Sequence, residues 1–459
     1  MSTQQININE ILDDTYVVLL AGGQGSRLHE LTESRAKPAL EFGCTHRIID
    51  FPLSNCANSG LKRIAVVTQY KAQSLIRHLV NGWTNYQRGF NTFLEIMPAS
   101  QQLNTDWYSG TANALYQNLA FLKSSNAKFI LVLSGDHIYK MDYRTLLADH
   151  VRSKADMTVS CIEMPKIEAA GKFGVMNVDS CDRIISFEEK PQDPQCLQDS
   201  PGNVLASMGN YVFSMDFLTQ QLEKDANDVG SQHDFGKDII PKIIQQSHIH
   251  AYRFHTQSDE KEVYWKDVGT IDAYWQANMA LLGPHPAAKV NDVHWPIWSN
   301  PSCHAPTQIV SDELGRSARI KDSLLANGTF LQFCSISGSL LCTNVRVEEG
   351  ANLVDSVILP NVTIGKNVRV TRCIIDQNCH IPDGLKIGIN MQEDKKRGFR
   401  ISPKGIRLVT QAMIDNLVSI QQYEHNQSSA QKRTEIDETV NLGPHIVELE
   451  NEISQRPIL

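Results

Sequence analysis

The sequence lacks the features of several protein classes. Its ten cysteines are scattered, with no C-x-x-C pair and no zinc-ligand cluster, so we expect reduced thiols in a cytoplasmic protein. No apolar run approaches the ~18 residues of a membrane span, and residues 1–14 are polar and acidic rather than signal-like. The net charge of −8 argues against general binding to nucleic acid or to a membrane surface, so we expect neither partner.

Two standard phosphate-binding motifs are also missing, although a glycine-rich segment stands near the start. Residues 20–28 read LAGGQGSRL, after an apolar run of strand length, and Lys37 follows. A P-loop would need Lys-Ser or Lys-Thr after its glycines, and Leu28 replaces the third glycine of a dinucleotide fingerprint. Backbone N–H groups of a glycine turn can still approach an anion, and Arg27 and Lys37 add positive charge. The alternative is a turn that only packs a strand against a helix.

Strand-like and helix-like stretches alternate through residue 285. Residues 64–68 and 129–133 are apolar and strand-like, whereas 71–83 and 111–122 carry apolar residues at helical spacing. This alternation predicts an α/β domain with a mostly parallel sheet. Ligands of such sheets bind beyond the carboxyl ends of the strands. The glycine segment and Asp136 both fall there, which predicts that they belong to one site.

The pattern changes after residue 285. Prolines are frequent from 283 to 306, and from residue 358 apolar side chains recur every six residues, as at Val362, Val368 and Ile374. Such a recurrence is typical of a parallel β-helix, with an ordinary β-meander as the alternative. We predict an α/β domain over residues 1–285, a linker over 286–310, a β-helix over 311–420 and a polar tail over 421–459.

Two carboxylates and three cations are candidates for phosphate chemistry. Asp136 ends the most apolar strand and Asp267 precedes a predicted helix, and Mg²⁺ prefers one or two carboxylates together with substrate phosphates. Arg27, Lys37 and Lys190 would supply positive charge to phosphoryl oxygens. As alternatives, either aspartate could cap a helix, and Lys190 could be a solvated surface charge.

Six motifs stand in the order found in one enzyme family. They are LAGGxGSRL at 20–28, RAKPA at 35–39, RIIDF at 47–51, SGDHIY at 134–139, HDFGKD at 233–238 and WKDVGT at 265–270. Between residues 15 and 408 the chain thereby resembles the sugar-nucleotide pyrophosphorylases, and within them the bacterial glucose-1-phosphate adenylyltransferases. The resemblance implies a Rossmann-like nucleotidyltransferase domain, then a left-handed parallel β-helix, in a homotetramer. It also implies that ATP and α-D-glucose 1-phosphate give ADP-glucose and pyrophosphate for glycogen synthesis.

The resemblance assigns roles to individual residues. The ATP phosphates and the leaving pyrophosphate would be held by Gly22, Gly23, Gly25, Arg27 and Lys37, and Mg²⁺ by Asp136 and Asp267. Glucose 1-phosphate would be surrounded by Glu189, Lys190, Ser207, Tyr211, Asp234 and Trp265, with Lys190 on its phosphate. The nucleotide-sugar pocket would be lined by Tyr108, Gly110 and Gly174, with Gln101 at adenine. The groups expected to act in catalysis are Arg27, Lys37, Asp136, Lys190 and Asp267.

The chain departs from its relatives at the site for small phosphorylated effectors. Enterobacterial members have lysine where Ser34 stands and histidine where Glu41 stands, at positions that help bind fructose 1,6-bisphosphate and AMP. A lost cation and a gained carboxylate predict a weak or altered response to the sugar bisphosphate, with Arg35 and Arg47 as the remaining anion-binding cations. Gln69 and Trp107 match positions linked to effector communication, so some regulation is expected to survive.

Three other functions remain open at this stage. One is a pyrophosphorylase that uses UTP, dTTP or GTP, because base choice depends on a few loop contacts. A second is a bifunctional uridylyl- and acetyltransferase, whose β-helix would need more hexapeptide turns than residues 358–381 offer. A third is a catalytically inactive regulatory subunit, which the presence of all five expected catalytic residues disfavours.

Overall fold

The computed structural model describes residues 7–83, 92–99, 107–254, 263–287, 289–290, 292–300 and 303–420. The predicted adenine contact Gln101 and the predicted tail over 421–459 lie outside these ranges. Within the same ranges, every helix falls short of the length and apolar character that a membrane span requires.

The helices and strands alternate in the first part of the chain, as the sequence predicts. The helices are α1 (Ile8–Asp13), α2 (Asp50–Asn58), α3 (Gln73–Gly82), α4 (Thr111–Gln117), α5 (Leu119–Ser124), α6 (Tyr143–Ser153), α7 (Lys166–Ala169), α8 (Met215–Ala226), α9 (Ile240–Ile243) and α10 (Ile271–Met279). The strands are β1 (Thr15–Leu20), β2 (Glu41–Phe42), β3 (His46–Arg47), β4 (Arg63–Thr68), β5 (Phe93–Pro98), β6 (Phe129–Ser134), β7 (His137–Tyr139), β8 (Met157–Pro165), β9 (Gly174–Val178), β10 (Ile184–Glu189), β11 (Asn203–Ser214), β12 (Ile249–Arg253) and β13 (Trp265–Asp267).

One large sheet forms the centre of this part. Its strand order is β10-β9-β11-β6-β1-β4-β5, with β8 beside β11 and β12 beside β8. Strand β1 is parallel to β4 and β6, and β4 is parallel to β5, whereas β11 is antiparallel to its neighbours β6, β8 and β9. The α/β sheet expected from the sequence is thereby confirmed, and one of its parallel strands, β1, leads into the glycine segment.

Strand β1 shows why these residues form a central strand. Tyr16 and Val18 are buried in the apolar core on one face of the sheet, and Val17 and Leu19 in the core on the other. A parallel strand covered on both faces needs such a continuous apolar run rather than alternation.

Asn118 divides one predicted helix in two. The stretch predicted over residues 111–122 forms α4 and α5, with Asn118 outside helical geometry between them at φ −100°. Its Nδ2 donates to the carbonyl oxygen of Ala114 at 2.8 Å and to Tyr108 Oη at 3.0 Å. Asparagine competes in this way with the backbone hydrogen bonds of a helix, which explains the break.

The second part is a parallel β-helix that starts earlier than the hexapeptide pattern. Its strands are β14 (Gln308–Val310), β15 (Arg319–Lys321), β16 (Leu324–Leu325), β17 (Phe330–Gln332), β18 (Ser335–Ser337), β19 (Leu340–Leu341), β20 (Arg346–Val347), β21 (Asn352–Val354), β22 (Val357–Ile358), β23 (Thr363–Ile364), β24 (Arg369–Thr371), β25 (Cys373–Ile375), β26 (His380–Ile381), β27 (Lys386–Ile387), β28 (Arg400–Ile401) and β29 (Arg407–Val409). They form three parallel sheets with the strand orders β14-β17-β20-β23-β26, β15-β18-β21-β24-β27 and β16-β19-β22-β25-β29, with β28 antiparallel to β29. Helix α11 (Met391–Lys396) precedes β28, and residues 411–420 are helical.

An asparagine ladder marks one corner of the β-helix. Asn344 donates to Asn361, and Asn361 to Asn378, through side-chain amides at 2.9 and 3.0 Å, each pair 17 residues apart. All three have φ near +60°, a left-handed conformation that asparagine tolerates better than most residues. This repeating corner agrees with the predicted left-handed β-helix. The parallel pairing of the strands rules out the β-meander for residues 308–409.

The proline-rich segment packs closely on the α/β part. Asn58 Nδ2 donates to the carbonyl oxygen of Pro296 at 2.9 Å, and Ser299 Oγ donates to the buried Asp50 carboxylate at 2.7 Å. Both partners belong to α2. An apolar core shared by the α/β part and the β-helix includes Leu28, Ile138, Leu340 and Ile374.

Candidate active site

The glycine segment and Asp136 leave the same edge of the sheet. Leu20 at the end of β1 lies opposite Ser134 at the end of β6, and the N–H of Gly135 donates to the carbonyl oxygen of Leu20 at 2.9 Å. Because these strands are parallel, the residues that follow them are neighbours. The predicted common position of the two segments is therefore observed.

A short antiparallel pair of strands brings the second carboxylate to the first. In the pairing of β7 with β13, Asp267 lies opposite His137, which follows Asp136. Neither aspartate has the alternative role of a helix cap. Asp136 precedes a strand, and α10 is capped instead by Thr270, whose hydroxyl accepts the N–H of Ala273 at 3.1 Å.

Lys37 lies between the two carboxylates. Its Nζ is 2.9 Å from Asp136 Oδ2 and 2.6 Å from Asp267 Oδ1, and the side chain is almost fully buried. Burial alone would lower the pKa of Lys37, but the charges of Asp136 and Asp267 outweigh it and raise the pKa. Burial alone would likewise raise the pKa of Asp136, but Lys37, with smaller contributions from His137 and Ser134, brings it well below the ordinary value. Lys37 and Asp136 therefore each stabilise the charged form of the other.

Arg27 and Gly25 border this triad in different ways. Arg27 Nη2 is 3.5 Å from Asp267 Oδ2, and 59% of the arginine side chain is exposed, so the guanidinium is free to meet an anion. Gly25 has φ +65°, and a Cβ there would lie 2.9 Å from Lys37 Cβ. Glycine is required because it both adopts this conformation and lets Lys37 pack closely.

A cleft of about 460 Å³ opens beside the triad. The predicted site residues that line it include Gly22, Gly23, Tyr108, Gly110, Asp136, Glu189, Tyr211 and Asp234. Gln69, predicted as regulatory, also lines the cleft and donates from Nε2 to the carbonyl oxygen of Tyr108 at 3.3 Å. The structure thus brings residues from both halves of the sheet to one cavity.

Glu189, at the end of β10, lines the cleft, and Lys190 follows it without being among the lining residues. Lys190 Nζ is 2.7 Å from Glu189 Oε1, and its side chain is 53% exposed. A Cβ on Gly174 would lie 2.9 Å from Glu189 Oε2, and one on Gly236 would lie 2.6 Å from the same oxygen. Gly174 and Gly236 therefore leave room for the Glu189 carboxylate.

Of the remaining predicted residues, Ser207 and Trp265 lie beside the cleft, whereas Tyr211 lines it. Ser207 Oγ accepts the N–H of Gly209 at 3.2 Å, and burial raises the pKa of Tyr211. Trp265 is buried and packs edge-on against His137, with ring centroids 4.9 Å apart, and against Phe173. Within the described residues its Nε1 has no hydrogen-bond partner.

Three of the predicted effector residues, Arg35, Glu41 and Arg47, form a separate cluster. Arg35 is buried, with Nη2 at 2.6 Å from Asp376 Oδ1 in the β-helix and Nε at 3.8 Å from Glu41 Oε2. Arg47 Nη2 is 3.4 Å from Glu41 Oε1. Ser34 is exposed nearby, and Trp107 is 65% exposed. The carboxylate that distinguishes this chain thus contacts both predicted anion-binding arginines.

Several cleft residues were missed by the sequence reasoning. Ser134 Oγ donates to Asp136 Oδ1, and Thr111 Oγ1 accepts the N–H of Phe235 at 3.1 Å and donates to Asp234 Oδ2 at 3.2 Å. Ser134 stands at the same strand end as Asp136, which was a usable signal. Thr111 had none, because its partners come from a distant loop.

The carboxylates could hold a cation. Oxygen atoms of Asp136 and Asp267 and a ring nitrogen of His137 all lie within 4.8 Å of one another. Two carboxylates fit a divalent metal ion that also binds substrate phosphates.

Comparisons with known proteins agree with this architecture. A family model described as nucleotidyl transferase matches residues 16–283, and one described as GlmU-like, C-terminal hexapeptide, matches residues 305–409. A protein of Teredinibacter turnerae named glucose-1-phosphate adenylyltransferase is 50% identical over 410 residues, which cover 89% of this chain and 97% of that protein. A protein of the same name from Shewanella oneidensis is 49% identical over 407 residues, with the same coverage. The chain therefore belongs to the nucleotidyl transferase family and, within it, to the glucose-1-phosphate adenylyltransferases.

Proposed function

We propose that this protein transfers the adenylyl group of ATP to α-D-glucose 1-phosphate, giving ADP-glucose and pyrophosphate for glycogen synthesis. One observation carries the proposal. Lys37 lies within hydrogen-bonding distance of both Asp136 and Asp267, beside a cleft lined by Gly22 and Gly23. A buried cation held by two carboxylates next to glycine backbone suits a polyphosphate and its metal ion. The named relatives favour this substrate pair.

The proposed mechanism is a single in-line displacement. An oxygen of the sugar phosphate attacks the α-phosphorus of ATP, a new P–O bond forms, and the bond to the β-phosphate breaks. The attacking oxygen is already an anion, so the reaction needs no general base. Backbone N–H groups of Gly22 and Gly23 meet the phosphates, while Arg27 and Lys37 neutralise the charge that develops on pyrophosphate.

The sugar phosphate is proposed to lie against the opposite wall. Lys190 would turn from Glu189 to the phosphate, a change that its exposure permits. Glu189, Tyr211 and Asp234 face the cleft and would hold the sugar, with Ser207 and Trp265 supporting them. Tyr108, Gly110 and Gly174 would border the nucleotide sugar, and Gly174 also leaves room for the Glu189 carboxylate. Gln101 remains the proposed adenine contact.

Asp136 and Asp267 are proposed to hold Mg²⁺. Their carboxylate oxygens fit this hard cation better than a softer one. When bound, the ion would neutralise phosphate charge and help to align the attacking and leaving oxygens.

Regulation by small phosphorylated effectors is proposed to be weak or altered. Glu41 contacts both Arg35 and Arg47, so an effector phosphate would have to displace a carboxylate from them. Gln69 touches both the glycine segment and the Tyr108 segment, which makes it a candidate for residual communication. A cytoplasmic homotetramer, with domain boundaries near residues 285, 310 and 420, completes the proposal.

Pyrophosphate release with glucose 1-phosphate and each of ATP, UTP, dTTP and GTP tests the proposal. We expect ATP to be preferred and Asp136→Asn to reduce the rate by at least ~10²-fold, since the metal site would lose a charge. The control Asp179→Asn alters an exposed strand-end carboxylate and should leave the rate unchanged. A preference for another nucleotide, or full activity of Asp136→Asn, would contradict the assignment.

A further inference from the structure

A buried carboxylate behind the cleft holds one of its loops. Asp225 lies in α8 and is 7% exposed. Its Oδ2 accepts Nδ1 of His233 at 2.7 Å, and its Oδ1 accepts the hydroxyl of Ser231 at 2.6 Å. Asp225 does not line the cleft and has no part in the mechanism above.

These contacts fix the backbone of His233. Ser231 Oγ also accepts the backbone N–H of His233 at 2.9 Å, so the side chain and the main chain of His233 are both tied to the same pair. His233 has φ +57°, a left-handed conformation that residues with a Cβ seldom adopt without support. The Asp225 carboxylate provides that support through the imidazole.

The His233 carbonyl oxygen sets the start of α4. It accepts the N–H of Ala112 at 2.8 Å, and a Cβ on Gly110 would lie only 2.2 Å from it. The chain around Gly110 therefore lies directly on this carbonyl. Gly110 and Thr111 line the cleft, so a shift of His233 would move one of its walls.

The residues after His233 shape the neighbouring part of the same cleft. Asp234 Oδ1 accepts the N–H groups of Gly236 and Lys237 at 2.9 and 3.1 Å, and Asp234 Oδ2 accepts the hydroxyl of Thr111. Gly236 in turn lies against Glu189. One short loop thus determines where four cleft-lining residues stand: Gly110, Thr111, Asp234 and Gly236.

We propose that Asp225 and His233 are a positioning pair that sets the sugar-phosphate end of the cleft. The pair touches no substrate and acts through the backbone of residues 233–236. The inference rests on the proposed function for its kinetic consequences, because that function places glucose 1-phosphate beside Asp234 and Glu189. The other end of the cleft is lined by Gly22 and Gly23, whereas the side-chain hydrogen bonds of the pair join Asp225, Ser231 and His233.

Steady-state kinetics of pyrophosphate release test the pair. We expect Asp225→Asn and His233→Leu each to raise KM for glucose 1-phosphate about tenfold, the loss expected for one charge-assisted hydrogen bond. KM for ATP should stay unchanged and kcat should change by less than ~3-fold. His233→Asn should keep a KM near that of the native protein, because asparagine offers a donor near the Nδ1 position and tolerates positive φ.

Glu223→Gln is the matched control, since Glu223 lies on the same helix and pairs with Lys123 on the surface. An unchanged KM for glucose 1-phosphate in Asp225→Asn and His233→Leu would overturn the proposal. So would an equal loss of kcat and rise of both KM values, which indicates general loss of structure. Amide hydrogen exchange of residues 110–114 in the free protein gives an independent readout. It should be at least ~10-fold faster in His233→Leu than in His233→Asn even if glucose 1-phosphate proves not to be the substrate.

Discussion

At the scale of single residues, Lys37 is the group on which the site depends most. It is buried, and its Nζ contacts two carboxylates that the backbone brings together from distant parts of the chain. Replacing it would leave Asp136 and Asp267 repelling each other across a desolvated space. It would also remove a positive charge that the proposed mechanism uses to neutralise the developing pyrophosphate.

Lys37→Met is therefore expected to reduce kcat/KM for pyrophosphate release by ~10²- to 10³-fold, the usual effect of removing one such electrostatic contact. Lys62→Met serves as the control, because Lys62 pairs with Asp13 on the surface. A loss smaller than tenfold in Lys37→Met would show that the lysine is structural rather than catalytic.

Glu41 should limit the response to fructose 1,6-bisphosphate. Glu41→Gln removes the carboxylate that contacts Arg35 and Arg47, so the variant should be activated more strongly than the native protein, by about fivefold if the coupling has an ordinary magnitude. The measurement is the ratio of rates with and without the sugar bisphosphate, with the nearby exposed Glu33→Gln as control. Strong activation of the native protein that survives mutation of Arg35 would contradict this account.

The sequence could predict which residues lie together only where they follow recognisable strands. Asp136 and the glycine segment could be placed together because each ends a recognisable strand, and their neighbourhood is observed. The sequence did not reveal that Asp376 of the β-helix contacts Arg35, or that Asp225 holds His233. These pairs join elements whose relative position depends on tertiary packing, which no local pattern contains.

At the scale of elements, helix α6 contains a buried histidine that should make stability depend on pH. His150 Nδ1 is 2.8 Å from Thr158 Oγ1, and its ring packs edge-on against Phe129. Burial, with a smaller contribution from the charge of His250, lowers the pKa of His150 from 6.5 to about 4. Between these values the unfolded chain binds a proton that the folded protein does not, so stability falls as pH drops from ~6.5 to ~4.

His150→Gln should remove this pH-dependent part of the free energy of unfolding. At ~1.36 kcal/mol per pKa unit, its full size is about 3 kcal/mol. Urea unfolding at pH 7 and pH 4.5 measures it, and the variant should lose less stability on acidification than the native protein does. His285→Gln, at an exposed position, should behave like the native protein. Equal losses in His150→Gln and the native protein would show that His150 is protonated in the folded state.

The elements themselves were predictable to different degrees. Buried strands such as β1 and β6 have long apolar runs, and α3 has clear helical spacing, so the sequence indicates them directly. The β7–β13 pair is only three residues long on each side and has no periodic pattern. Its register nevertheless decides that Asp267 meets Asp136, so the sequence could propose the metal site but not its geometry.

At the scale of the whole molecule, the β-helix contacts the α/β part close to three catalytic segments. Glu30, three residues after Arg27, accepts hydrogen bonds from Nε and Nη2 of Arg400 in the β-helix part. The distances from Nε to the two carboxylate oxygens are 2.8 and 2.6 Å. Arg35, which lies two residues before Lys37, donates from Nη2 to the carboxylate of Asp376 in the β-helix. The N–H of Lys404 donates at 3.3 Å to Asp272, which lies in the first turn of α10, the helix that follows Asp267.

Asp376→Asn should destabilise the protein, because among the residues that the structure describes it leaves only the more distant Glu41 as a counter-charge for the buried Arg35 guanidinium. Breaking a buried ion pair on one side usually costs ~3–5 kcal/mol. Thermal and urea unfolding measure the change, with Asp322→Asn on the exposed β-helix surface as control. A free energy of unfolding equal to that of the control would mean that Asp376 does not stabilise the contact between the two parts.

The cleft beside Lys37 is proposed to be the place where the adenylyl group of ATP is transferred to glucose 1-phosphate. The most direct test follows ATP that carries one label on the α-phosphate and another on the γ-phosphate, incubated with glucose 1-phosphate and Mg²⁺. We predict equal amounts of α-labelled ADP-glucose and γ-labelled pyrophosphate, with both formed at least ~10²-fold more slowly by Asp136→Asn. Release of the γ-label as inorganic phosphate, or α-label that stays in ADP or AMP, would contradict the account.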